Sequence, residues 1–463
     1  MYGESIAASG VSYSKGDDGQ RRVKVHELDV ISPTMQFEGI PGNSGKDKSA
    51  DSVARKGKTN RVILDVGTLT ISNGNLRAAL WRDKEKSSYA VVGLDLSVSG
   101  IYLGGGGPDR FVSPEMTADD ADAMLRETVE NAGVSGVAMS LSSLDYVFKN
   151  GAMKMEADEL SFDTRQETFA VGRLAMLPQY DREQYTLLVG DHTDWMRVVA
   201  EDVEGNGARF PFVAGEEMFL VDNVRVGKVT IEGYKNRNQL QTEKVKPTLY
   251  ESVWAIPVGI DIQTITVDNI DVVYEEVSKG SATPGVLGFS DMRARVTGLT
   301  NRPKSPDQYY TIYSEGYIFG RALMKATLTM PAAEGNDHFT VNAWMGQMPA
   351  TVASPATEPI ANVKIVSGMM RYAQMSMEGN SREGRSVVNM VYDDLRISIL
   401  DRKKPGHERE LLTALANDVV LRHSNPVDGC ERVGRGEARR DVHNAYWNFI
   451  WKIALSGGID ILV

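Results

Sequence analysis

A single cysteine, Cys430, stands alone in 463 residues. No disulfide can therefore close within the chain, and no thiolate cluster is available for zinc or an iron–sulfur centre. Histidine is nearly as scarce. The six residues His26, His192, His338, His407, His423 and His443 never fall at His-x-His or His-x-x-x-His spacing, so no metal site or general base appears as a local motif. Positive charge is lacking as well: the formal net charge is −11, and nucleic-acid binders carry a basic face, so nucleic acid is excluded as a partner. No uninterrupted apolar run reaches the length of about eighteen residues that spans a bilayer. The opening "MYGESIAASGVSYSKGDD" lacks the apolar core of about seven to fifteen residues that marks a secretory signal. The expectation is either a cytosolic protein or an exported one whose N-terminal segment is missing from this sequence.

Phosphate-loop and nucleophile motifs are missing too. "PGNSGKD" has Ile40 where a glycine belongs, five places before Gly45, and Asp47 where a Ser or Thr should meet magnesium. "LGGGGPD" is followed by no helix start close to Gly107 and reads as a surface turn. Asp119, Asp120 and Asp122 lack the glycine and terminal glutamate of a calcium loop and are better explained as charges at a helix N-terminus. There is no Gly-x-Ser-x-Gly. No cofactor, no metal and no catalytic residue is expected.

What the chain does have is period-two alternation, in bursts separated by Gly, Asn, Asp and Ser. Val23 and Val25, then Leu28 and Val30; Leu94, Leu96 and Val98; Val224, Val226, Val229 and Ile231; and Val258, Ile260 and Ile262 are examples. Such bursts read as antiparallel strands with one buried face. In "VILDVGTLTISNGNL" and "FLVDNVRVGKVTIEGY" the apolar phase changes between pairs, which predicts a bend or bulge that re-aims the strand. The expected fold is mainly β, an elongated twisted antiparallel sheet, groove-like or sandwich-like, with one inserted helix near 117–132 and a helical C-terminal end. Loops rich in Gly, Lys and Pro divide the chain into an N-terminal β region, 1–245, a second β region, 246–400, and a helical closure, 401–463.

In the closure, "HERELLTALANDVVL" puts Leu411, Ala414, Leu415 and Val419 on one helical stripe. The last helix sets Tyr446, Phe449, Ile450 and Ile453 on one face, with Trp447, Trp451 and Leu455 beside it. Arg432, Arg435, Arg439 and Arg440 precede it. From residue 401 the chain has ten basic and nine acidic side chains, so this end alone is not repelled by an anionic surface. Arg435, Arg439, Arg440, Trp447 and Trp451 are the candidates for contact with lipid headgroups. The alternative is that the helix packs over the last strands as a lid.

"ITVDNIDVVYEE" ends on Glu275 and Glu276. Adjacent strand residues point to opposite faces, so the two cannot form an acid–base pair in one pocket from regular β-structure. The longer stretch "VGIDIQTITVDNIDVVYEEVSKGSATPGVLGFSDMRARVTGLTNRP", together with "PIANVKIVSGMMRYAQMSMEGNSREGRSVVNMVYDDLRISIL" and the terminal "ANDVVLRHSNP" and "RRDVHNAYWNFIWKIALSGGIDIL", resembles the AsmA-like family of Gram-negative envelope proteins. The likeness covers about residues 220–463. It implies an elongated β-groove in the periplasm, an inner-membrane anchor that this chain does not show, and a non-enzymatic role in moving phospholipid or maintaining the outer membrane. Its implied partners are phospholipid acyl chains, and envelope proteins at the sheet edges or the C-terminal end. Ile260, Ile262, Val267, Val272, Phe289, Val296, Leu328 and Met330 are the groove-lining candidates. Alternation alone fits a packed sandwich core as well, so a structural scaffold without lipid stays open, as does an enzyme on a β-scaffold. The twenty methionines suit a surface that adapts to mixed acyl partners, and they suit ordinary core filling equally.

Overall fold

A computed structural model describes residues 4–15, 21–38, 62–82, 85–103, 132–189, 194–211, 218–239, 244–401 and 407–463. The protein is mainly β, with twisted, unclosed sheet structure and a few helices, one of them C-terminal. It divides into two units, one of Met1–Gln179 and Asp202–Leu220, the other of Tyr180–Glu201 and Val221–Val463. The division thus falls earlier in the chain than the loop-rich boundary near residue 245. The expected inserted helix near 117–132, with Asp119, Asp120 and Asp122, lies outside the described residues, as do the Gly45 and Gly107 loops.

In the first unit, β1 (Ser5–Ser9) and β2 (Ser12–Lys15) pair with β3 (Arg21–Ile31). β3 and β4 (Thr34–Glu38) both run parallel to β5 (Val62–Arg82), a departure from the purely antiparallel expectation. Ser32, at φ 49°, turns the chain between them, and its N–H donates to Ser72 O, so β4 continues alongside β5 where β3 stops. From β5 the order is antiparallel through β6 (Glu85–Leu103), β8 (Gly136–Phe148), β9 (Met153–Asp163) and β10 (Thr168–Pro178), with a short β7 (Ala132–Gly133) beside β6. β11 (Trp195–Asn206) and β12 (Phe219–Asn236) are each divided between the units.

The second unit continues with β13 (Ile260–Val277), β14 (Gly285–Thr300), β15 (Tyr309–Ile318), β16 (Ala322–Pro331), β17 (Phe339–Met345), β18 (Met348–Pro349), β19 (Val363–Gly379), β20 (Glu383–Ile399) and β21 (Val433–Arg439). Each strand pairs antiparallel with its neighbour from β13 to β17; β17 and β18 both pair with β19, then β20 and β21 follow. Its helices are α1 (Arg182–Val189), α2 (Leu249–Trp254), α3 (Ser354–Ala361), α4 (Glu410–Leu415) and α5 (Tyr446–Leu462). Among the described residues no helix is long and apolar enough to cross a membrane.

Of the two phase changes read from the sequence, the one in "VILDVGTLTISNGNL" coincides with a residue in left-handed conformation and the one in "FLVDNVRVGKVTIEGY" with none among the described residues; other strands carry such residues as well. Asn73 follows Ile71 at φ 51°, Gly93 separates Val91 from Leu94 at 65°, and Gly298 separates Val296 from Leu299 at 71°. A single such residue shifts the alternation by one, so the apolar pairs on both sides stay on one face. Tyr392 and Leu395, flanking Asp394 at φ 51°, accordingly enter the same buried cluster.

α5 covers the end of the sheet in the second unit. Tyr446, Phe449, Ile453 and Ile461 are buried against β16, β17, β19 and β20, with Phe339 set edge-on to Phe449 at a ring separation of 6.3 Å. Gly434 and Gly436 of β21 face Gly457 of the helix so closely that a Cβ at any of the three would strike its neighbours. Ser386 Oγ donates to the Ile453 carbonyl at 2.9 Å. Asp460 and Ser456 accept the β21 N–H groups of Arg435, at 2.9 Å, and Glu437, at 3.3 Å, so the helix also occupies the donor edge of the last strand. The other helix of the closure is shorter than its apolar stripe implied: α4 gives way to a π-turn at Ala416–Val420, and Leu411 and Leu415 are exposed. It is held through Asn417, whose amide bridges Ile397 O at 2.7 Å and Thr413 O at 2.9 Å.

Candidate functional site: an apolar trough on the second sheet

Strand register assembles what the sequence scatters. Directly opposed residues share a face, and on one face of the second sheet the row Ile265, Val296, Ile312, Leu328, Val341, Met377 runs across six strands. The next row, two residues along each strand, is Val267, Ala294, Ser314, Ala326, Ala343, Met375. Beyond it Gly316, Met324 and Met345 are opposed in turn. Three alanines and a serine thus floor a trough with an aliphatic wall on one side and methionines on the other. Six strands at about 4.8 Å make it about 24 Å long.

The trough is closed at one end and half-open at the other. Near β19 its rows run into the core beneath α5 and α2, where Val341 and Met377 are buried with Tyr250, Tyr310 and Phe449. Toward β13 and β14, Ile265, Val267, Ala294, Val296, Ile312 and Ala326 are only half-buried. A second cluster, Ile318, Ala322 and Met348 with Phe289 and Met324 against it, bounds the far side.

Of the candidates read from the sequence, Val267, Val296 and Leu328 line this trough. Ile262, opposite Leu299, lies at its rim. Met330, 1% exposed, is core beneath Tyr250 and Tyr446. Ile260 is buried where its N–H meets Asn301 Oδ1 at 2.8 Å. Val272 opposes Phe289 at the second cluster, away from the trough floor. Ala294, Ser314, Ala326, Ala343, Met324 and Met345 were not foreseen. The alanines and the serine each sit two places from a large apolar residue in the same strand, the two methionines two places from one of these alanines, and only the pairing register brings them into line.

Glu275 and Glu276 part company as strand geometry requires. Glu275 accepts from Arg182 at 2.7 Å, while Arg182 lies over the Trp195 ring at 5.1 Å. Glu276 is buried, paired with Arg237, and accepts from the Tyr274 hydroxyl at 2.9 Å. Burial, with Glu276 beside it, pushes the Tyr274 phenol far above the ordinary tyrosine range, so it remains a donor. Close by, Lys235 reaches Asp194 at 3.5 Å and Asn444 at 3.4 Å, and burial lowers its pKa. Lys246 meets the other Asp194 oxygen at 3.3 Å. These paired charges tie β11, β12, β13 and the turn before α5 together. The phrase Leu-Thr-Asn at 299–301 is likewise a staple: fully buried Asn301 serves the backbone of Ile256, Val258 and Ile260.

The headgroup candidates fall on two surfaces. Trp447 and Trp451, 60% and 51% exposed, form with Leu455 and Ile459 an outward stripe on α5. Arg435 and Arg439 alternate with the glycines that face α5, so they point to the opposite side of the sheet. Arg440 is engaged in structure, donating to the carbonyls of Lys246 and Ser381 and lying over the Tyr446 ring at 6.0 Å. Sequence proximity had grouped these arginines with the tryptophans; strand alternation separates them. In comparisons with protein-family models and with curated proteins, nothing matches this chain.

Proposed function

We propose that this protein is a non-enzymatic cell-envelope component that holds phospholipid acyl chains in the trough of its second sheet, in support of outer-membrane lipid transport or assembly. The observation that carries the reading is the trough: a small-residue floor between an aliphatic and a methionine wall, half-open along β13 to β16 and sealed under α5. An acyl chain laid there supplies the apolar partner that a facing sheet supplies in a sandwich. Each buried methylene contributes about 0.8 kcal/mol. Thioether side chains adjust their shape to saturated or kinked chains at small cost. The resemblance to AsmA-like proteins supports the same ligand class and an envelope location.

A photo-crosslinking amino acid tests the geometry directly. Ile312 and Tyr313 are neighbours on β15 that face opposite sides of the sheet. p-Benzoylphenylalanine at 312 is expected to capture phospholipid when the protein is irradiated in cells, and at 313 to capture none. Equal capture at both positions, or capture at neither, contradicts an acyl-binding trough.

A further inference from the structure

The other face of the same sheet is of opposite character. Thr264, Thr297, Thr311, Thr329 and Thr340 form one row across β13 to β17. Beside it run Arg295, Tyr313, Thr327, Asn342, Ser376, then Glu315, Lys325, Trp344, Gln374, Asn389. Between β16 and β20 these rows enclose a shallow concavity of about 490 Å³, lined by Lys325, Thr327, Asn342, Trp344, Gln374 and Asn389 among others. The volume is within the range of small-ligand sites.

The chemistry of the lining selects the ligand. Among the described residues no carboxylate lines the concavity, which removes the usual means of holding a cation. Its one cation, Lys325, is already matched by Glu315 at 3.7 Å, so an anion gains little there. Its polar groups are amides and hydroxyls, which both donate and accept. Tyr313 and Trp344 supply flat apolar ring surface beside these groups; Tyr309, Tyr313 and Tyr317, all exposed, repeat on this face every fourth residue of β15. Amides beside aromatic rings, with little net charge, suit a ligand that has an apolar ring face and a rim of hydroxyls.

We propose that this face binds a neutral glycan chain, its sugar rings stacked on Trp344 and Tyr313 and its hydroxyls bonded to Asn342 and Gln374. The site lies on the side of the sheet away from the acyl trough and stands or falls independently of it.

The test is calorimetric titration of the full chain with cellohexaose, chitohexaose, maltohexaose and laminarihexaose in turn, with tryptophan emission read in parallel. Saturable binding of at least one is expected. Trp344→Ala and Gln374→Ala should each weaken it about tenfold or more, the loss of one stacking or bidentate contact. Trp344→Phe keeps the ring and should retain binding while losing the emission change, which covers the case of an alanine variant that folds poorly. Absence of saturable binding by the folded wild type to all four sugars overturns the proposal. So does binding that Trp344→Ala and Gln374→Ala leave unchanged.

Discussion

Two adjacent glycines of α5 should respond in opposite directions to the same substitution. Helix propensity favours alanine over glycine by about 1 kcal/mol at an interior position. At Gly458 an added Cβ would meet nothing within 4 Å, so Gly458→Ala should stabilise the protein by about that amount. At Gly457 the Cβ would lie 2.6 Å from Val388 Cγ2 and 2.9 Å from Ser386 Oγ. Neither neighbour can yield cheaply: Val388 is a buried, β-branched residue with few rotamers, and moving Ser386 breaks its bond to the Ile453 carbonyl. Overpacking costs about 1–3 kcal/mol, and the weakened hydrogen bond adds about 1 kcal/mol. Subtracting the propensity gain leaves Gly457→Ala destabilised by about 1–3 kcal/mol. The pair should therefore differ by about 2–4 kcal/mol in guanidinium unfolding followed by circular dichroism, with similar m-values. Equal stabilities for the two variants would refute the close docking of α5 on β20 and β21.

Three further outcomes follow from the same interactions. Asn301→Ala leaves the Ile260 N–H and the Ile256 and Val258 carbonyls without their partner, and should lower stability by about 3 kcal/mol or more in the same unfolding assay. Arg237→Ala strands the buried Glu276 carboxylate and should cost about 3 kcal/mol, whereas Glu276→Gln, which still accepts from Tyr274, should cost less than half as much; their melting temperatures report the order. Burial holds the phenols of Tyr274, Tyr310 and Tyr446 well above the ordinary range and pushes Tyr234 up to about 12. A raised folded pKa favours the neutral form, so this contribution is fully present below the unfolded value near 10 and is lost as pH rises toward the folded values. Tyrosinate absorbance should therefore show these residues ionising together with loss of β-sheet dichroism; their titration near pH 10 in a still-folded protein would refute the burial argument.

The fold class was legible because alternation survives in almost every strand, and the left-handed residues that interrupt it, such as Asn73, Gly93 and Gly298, are types that announce a bulge. The two faces of α5 were legible for the same reason, since buried Tyr446, Phe449 and Ile453 and exposed Trp447 and Trp451 follow helical period. One further local signal stands in the sequence itself. Thr248 and Glu251 form a capping box that starts α2 within what looked like a loop, each side chain bonding the other's backbone N–H. The trough was illegible for a different reason. Ala294, Ser314, Ala326 and Ala343 belong to four strands, and a shift of one residue in any pairing would scatter them to the other face. The strand Val433–Arg439 escaped notice because its glycines, chosen to admit Gly457, remove the apolar alternation that marks a strand.

The most direct test of acyl binding is mass spectrometry of the organic extract from purified protein, comparing wild type with Val296→Glu. Val296 stands in the half-open wall of the trough, so a carboxylate there puts charge where the acyl chain would lie. The account requires stoichiometric phospholipid in the wild type and its loss in the variant, with circular dichroism unchanged. A folded wild type that releases no phospholipid, or a variant that retains the full complement, would contradict it.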